Sequence, residues 1–264
     1  MPESKPFPRT YRPHINWESD QYIEHPLFAE NARQYILAAE LIYKDYTSLI
    51  NYIEQSNDNK NCYSMRIYEL FFRTCTEIEA NMKAILRENH YIRYKKSSKK
   101  HVVDDWNMKD DYFLLNKTHH LSSYAVKFPN WIEDSDIIRP FYNWKDGDYK
   151  PLIWYQDFTK VKHNRHEYFN KANFGNLVSS LGALAILLTT QFNDHDFSPE
   201  ATHAYGYKDP LRLPTSVGLP LQLVLPYDWD DDEKYSFSWF SLRGEENPFE
   251  YLFGEYNNGM EKSI

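Results

Sequence analysis

The chain has 264 residues, enough for one sizeable hydrophobic core. Apolar residues make up 42% and aromatics 17%, which excludes a disordered polymer and calls for a folded body. A net charge of −8 excludes a globally basic nucleic-acid binder, so any phosphate contact must come from a local patch.

Residues 1–25 carry Pro2, Pro6, Pro8 and Pro13. Proline fixes φ and removes a donor, so an extended arm without regular structure is expected. Its aromatics Phe7, Tyr11, Trp17 and Tyr22 predict that it packs along the body. Pro26 opens a helix in its first turn. Phe28, Ala32, Tyr35, Ala39, Ile42, Tyr46, Leu49 and Ile53 follow at steps of three and four, one buried helical face. The polar run 57–61 stops it. A second helix, from about Tyr63 to about Asn89, has the seam Tyr68, Phe71, Cys75, Ile78, Met82 and Ile85. The short connection predicts an antiparallel hairpin of helices. Arg73 and Glu77 stand four apart and pair on one face in this reading.

Residues 90–150 read as an irregular insertion covering the bundle, with one or two short helices. Arg93, Lys95, Lys96, Lys99, Lys100 and His101 form a basic loop, either simply solvated or a phosphate contact. Residues 151–192 organise the chain. Their first half is an amphipathic helix bearing the polar cluster Lys162, His163, Asn164, Arg165 and His166; their second half is an apolar helix inside a bundle. Beyond 192, segments 219–225 and 235–242 alternate with period two and predict a small hairpin. The acidic turn between them does not match a calcium loop. The fold class is therefore mainly α: a helical bundle of four to six helices (26–192) with an insertion (90–150), an N-terminal arm (1–25) and a C-terminal extension with a β-hairpin (193–264).

Two cysteines, Cys62 and Cys75, make no disulfide framework and no zinc spacing, so a reducing compartment is expected. The first residues lack the apolar core of a secretory signal. The apolar run 177–192 reads as too short for a membrane span. The expectation is a cytoplasmic protein with no membrane partner, no metal and no cofactor. No P-loop, dinucleotide fingerprint, HExxH or GxSxG occurs.

The polar cluster carries the chemistry. If the helix runs on regularly, Arg165 shares the apolar seam of Trp154, Phe158, Val161, Tyr168 and Ala172. A guanidinium there needs an acidic partner, supplied by Glu69, Glu77 or Glu79. Thr159, His163, His166 and Asn170 form a different, outer face. Histidine serves as general acid or base near neutral pH, and a nearby Lys162 or Arg165 stabilises developing charge on a phosphate. The plain alternative is a solvated helix face.

Two long helices, an insertion, a helix with a His-bearing cluster and an apolar helix together resemble the HEPN domains of prokaryotic toxin, abortive-infection and defence systems. The resemblance covers about residues 27–192. Phe158, Thr159, Lys160, Val161, Lys162 and His163 stand where that family carries Arg-Asn-x-x-x-His. His163 matches; Phe158 replaces the arginine and Thr159 the asparagine. The resemblance implies a metal-independent endoribonuclease or an RNA-binding component of a defence or toxin–antitoxin system, acting as a homodimer or with a partner protein or antitoxin. It implies His163 as acid/base with Arg165 and Lys162 on phosphate, supported by Arg73, Glu77, Thr159 and His166. Two other readings stand beside it. One is a non-enzymatic interaction or scaffold protein, in which Arg165 anchors a structural network. The other is a small-molecule binder using a pocket between bundle and insertion.

Overall fold

The computed structural model describes residues 1–16, 20–95, 100–102, 104–133, 137–195 and 221–253. The fold is mainly α, as the sequence predicts, and is built around one apolar helix, α6 (Phe174–Phe192). Asn173 caps it by accepting from the Asn176 amide at 3.0 Å. The loop before the second helix fixes its start, since Phe174 N–H donates to the Cys62 carbonyl and Gly175 N–H to that of Lys60. α6 is long and apolar enough to cross a membrane, against the expectation that this run is too short, but 78% of its apolar window is buried inside the protein. Helix α2 (Met65–Glu88) lies along it, and α1 (Ala32–Leu49) and α4 (Ile153–His163) complete the bundle.

Helix α2 buries Phe71, Cys75, Ile78, Met82 and Ile85, the predicted seam, with Tyr68 half-buried at its start. Ser64 caps it through the Ile67 amide. Helix α1 starts six residues later than Pro26 predicts. Residues 26–31 form turns, and Asn31 adopts a left-handed φ of 57° that a helix cannot contain. The predicted pair of Arg73 and Glu77 does not form. Arg73 reaches across to Asp45 of α1 at 2.5 Å, and Glu77 accepts from Asn81 one turn on.

The insertion holds a two-stranded ribbon, β1 (Arg93–Lys95) and β2 (Lys100–Val102), short 3-10 turns, and the short helix α3 (Leu115–His119). Of the predicted basic loop, Lys96 and Lys99 lie outside the described residues. A three-stranded antiparallel sheet follows, with β3 (Ala125–Lys127) flanked by β4 (Ile137–Ile138) and β5 (Gln222–Val224). This corrects the C-terminal hairpin: β5 pairs with β3 of the insertion, not with 235–242. Leu219 and Pro220 of the predicted strand lie outside the described residues. The alternating segment from Tyr235 is extended because the N-terminal arm clamps it. Tyr235 N–H donates to the Pro13 carbonyl, and its hydroxyl donates to that of Thr10. Helix α7 (Trp239–Leu242) then begins within the second predicted strand.

The arm packs on the body as expected, with Phe7 and Tyr22 buried, though Trp17 lies outside the described residues, and it contains a 3-10 turn at Asp20–Glu24. It also holds two buried arginines, Arg12 at 6% exposure and, deeper, Arg9 at 0%. Arg9 Nε donates to Glu88 Oε1 at 2.6 Å, and Nη1 donates to Gln191 Oε1 at 3.1 Å. Nη2 donates to the Glu30 carbonyl, and the guanidinium lies 4.4 Å over the Tyr35 ring. One side chain thus ties the arm to α1, α2 and α6.

Candidate functional site

The predicted site residues sit at the end of α4 and in the short helix α5 (Arg165–Tyr168). Helix α4 is positioned by Trp154, Asp157, Phe158 and Val161, its buried stripe. Phe158 is 1% exposed and meets the edges of Phe71 and Phe72 of α2 at 6.1 and 5.0 Å between ring centroids. Asp157 is held inside this apolar stripe by Lys160 Nζ at 2.9 Å and by Asn176 Nδ2 at 3.1 Å, so its charge is paired across to α6.

The helix stops at His163. Asn164 turns out of it with φ −145° and ψ 79°, and its side chain accepts from the Glu167 amide while donating to Glu167 Oε2 at 2.8 Å. This reciprocal arrangement caps α5. The break resets the helical register and overturns the seam placement of Arg165, which is exposed. Its guanidinium lies 5.8 Å over the Tyr68 ring. The acids proposed to pair with it are engaged elsewhere: Glu69 with Arg66, Glu77 with Asn81, and Glu79 with Tyr155 at 2.6 Å and Lys162 at 3.8 Å.

His163 and His166 are exposed, as is Lys162. His163, Arg165, His166 and Lys171 have no acidic partner among the described residues. Lys162, His163, Arg165 and His166 are thus brought together on one exposed turn. Thr159 is half-buried and donates back to the Tyr155 carbonyl. Arg73 and Glu77 are not part of this turn: Arg73 faces α1, and burial raises the Glu77 carboxyl above its ordinary value.

Sequence reasoning named Glu79 only as a partner for Arg165 and missed Tyr155, Asp157 and Asn176, the other polar contacts that brace α4 beside the turn. Burial first, then the Glu79 carboxylate, pushes the Tyr155 hydroxyl far above the usual tyrosine range. Asn164 and Glu167, three apart before an aromatic, carry the capping-box spacing that would have revealed the break. The remaining contacts are long-range and leave no local pattern. No family model matches the chain, and no curated protein or solved structure matches it.

Proposed function

We propose that the protein is a HEPN-like RNA-binding helical bundle that contacts phosphates through the turn between α4 and α6. The observation that carries this reading is the group His163, Arg165, His166 and Lys171. These four side chains lie within nine residues, without acidic partners among the described residues, on a chain of net charge −8. Arg165 and Lys171 outnumber the one acid of the turn, Glu167, which is held by Asn164, so an acidic protein presents here a local patch that attracts a polyanion. Arg165 and Lys162 contact phosphate, and His163 and His166 flank the strand.

Binding is favoured over cleavage. The arginine position of the HEPN motif is Phe158, whose ring is core, so no guanidinium reaches the site from there. Cleavage would rest on His163 as acid/base with Arg165 in the arginine's place, in a cleft shared by two copies. Fluorescence anisotropy with a single-stranded RNA tests the reading. The triple variant His163→Ala, Arg165→Ala, His166→Ala is expected to weaken binding at least about tenfold and to flatten its salt dependence. An unchanged affinity, or no binding by the parent protein at low salt, defeats the reading. Incubation of RNA with the protein in a chelator, with His163→Ala alongside, separates cleavage from binding.

A second reading, an interaction protein, is favoured by Leu37 and Leu41. They stand one turn apart on α1, 48% and 50% exposed, and Leu41 lines an open groove of about 850 Å³ between α1 and α2. In that reading Leu41→Glu abolishes self-association or partner capture, read by light scattering.

A further inference from the structure

Between the insertion and the bundle lies a cleft of about 510 Å³, within the size range of small-molecule sites. The insertion lines it with Trp131, Ile137, Arg139 and Asn143, and the bundle with Ile153 of α4 and Asn173, the cap of α6. Trp131 is 6% exposed, and its ring stacks on Phe174 with centroids 6.0 Å apart. Its buried Nε1–H has no hydrogen-bond partner among the described residues, a rare condition for a buried donor. Trp154, which also lines the cleft, shows the ordinary condition: its Nε1–H donates to the Pro140 carbonyl at 3.0 Å.

The other open polar groups of the lining are donors too. Arg139 is exposed and has no acidic partner among the described residues. Indole and guanidinium groups donate and cannot accept, so what meets them must be an acceptor. Asn173 accepts from the Asn176 amide and donates neither of its own amide hydrogens among the described residues. Asn143 gives one amide hydrogen to the Pro151 carbonyl and keeps the other. The one carboxylate of the described lining, Asp157, is already answered by Lys160 at 2.9 Å and Asn176 at 3.1 Å. Beside these donors, Ile137 and Ile153 are 51% and 68% exposed, one from each wall.

We propose that this cleft binds a small monocarboxylate with an apolar body. Its carboxylate accepts from Trp131 Nε1–H and from Arg139, and its body covers Ile137 and Ile153. A single unpaired arginine next to a paired aspartate suits a planar, singly charged head, which takes the guanidinium fork with two oxygens. The site rests on its own lining and does not require the RNA reading of the basic turn.

Isothermal titration of the full chain with butyrate, hexanoate, octanoate and phenylacetate tests it. At least one acid is expected to bind, with its neutral primary amide at least about tenfold weaker. Trp131→Phe keeps a ring against Phe174 and removes the donor, and it should weaken the acid by about tenfold. Arg139→Gln, at an exposed position, should weaken it by at least as much. Circular dichroism verifies that both variants fold. A tripeptide ending in leucine separates the sources. Tighter binding than the best acid, lost on amidation of its C-terminus, assigns the cleft to a chain end, and weaker binding assigns it to a free acid. The proposal is overturned if no acid binds more tightly than about 5 mM, if acid and amide bind alike, or if either variant binds like the parent.

Discussion

Arg9 shows what a single buried charge demands. A guanidinium at 0% exposure is tolerable only because Glu88 neutralises it and Gln191 and the Glu30 carbonyl take further donors. Burial raises the Glu88 carboxyl, and Arg9 pulls it back down. Removing the guanidinium strands a largely buried carboxylate, so Arg9→Ala should cost about 3–5 kcal/mol. Urea unfolding followed by circular dichroism measures this. Arg9→Ala with Glu88→Gln should recover part of the loss, because the stranded charge goes with it; no recovery would place the loss in packing against Tyr35. The sequence did call for one buried arginine with a glutamate partner but placed it at Arg165. Nothing local marks Arg9, which lies among prolines, 79 positions from Glu88. The seam that pointed to Arg165 was interrupted by a single capping residue.

At the scale of elements, local periodicity was legible and pairing between distant segments was not. Helices α1, α2 and α4 follow from steps of three and four and α6 from its continuous apolar run, because a helix closes its own hydrogen bonds and displays its burial pattern within the same segment. The sheet does not follow, because β5 and 235–242 have the same alternation and only distant partners decide between them. Those partners are β3 for the first and the arm for the second. The candidate turn was legible as composition, but its exposure depends on Asn164. Asn164→Ala removes the cap of α5 and should cost about 1 kcal/mol, with faster amide exchange at Glu167 than elsewhere in the turn. The contact of sheet and bundle depends on Gly182 of α6. A Cβ there would stand 2.6 Å from Val126 Cγ2 and 3.3 Å from Pro140 Cγ. Val126 is β-branched and paired on both sides, so it cannot yield cheaply. Overpacking of about 1–3 kcal/mol exceeds the gain of about 1 kcal/mol from alanine's helix propensity. Gly182→Ala should therefore lower the melting temperature by a few degrees, roughly 2–4 °C.

For the whole molecule, the arm and the C-terminal segment close the bundle over histidines that the fold keeps neutral. His119 is 0% exposed, and burial lowers it to about 3. Its contacts fit the neutral ring: Nε2–H donates to the Arg9 carbonyl at 3.1 Å, and Nδ1 accepts from the Thr118 hydroxyl at 2.8 Å. His14 wedges among Tyr22, Tyr235 and Phe237, neither ring nitrogen has a partner among the described residues, and burial lowers it to about 4. A histidine whose folded pKa lies below its unfolded value of 6.5 contributes stability that is complete above 6.5. That stability is lost as pH falls through the window, to about 4 for His14 and about 3 for His119. Glu77, Glu88 and Asp111 act in the opposite direction, since burial raises them and the folded state then takes up their protons more readily. The carboxyls titrate alike in the parent and in a histidine variant, so comparing the two isolates the histidine contribution. That contribution to the melting temperature should be flat above pH 6.5 and fall steadily from there to pH 4. His14→Phe keeps an aromatic ring in the cage and removes its proton, so it should match the parent at pH 7 and melt higher at pH 4.5. The gain, on the order of 2–3 kcal/mol, is the linkage contribution of His14. Parallel profiles for the two proteins would assign the acid sensitivity to His119, at the joint where Arg9 and Thr10 of the arm meet α3.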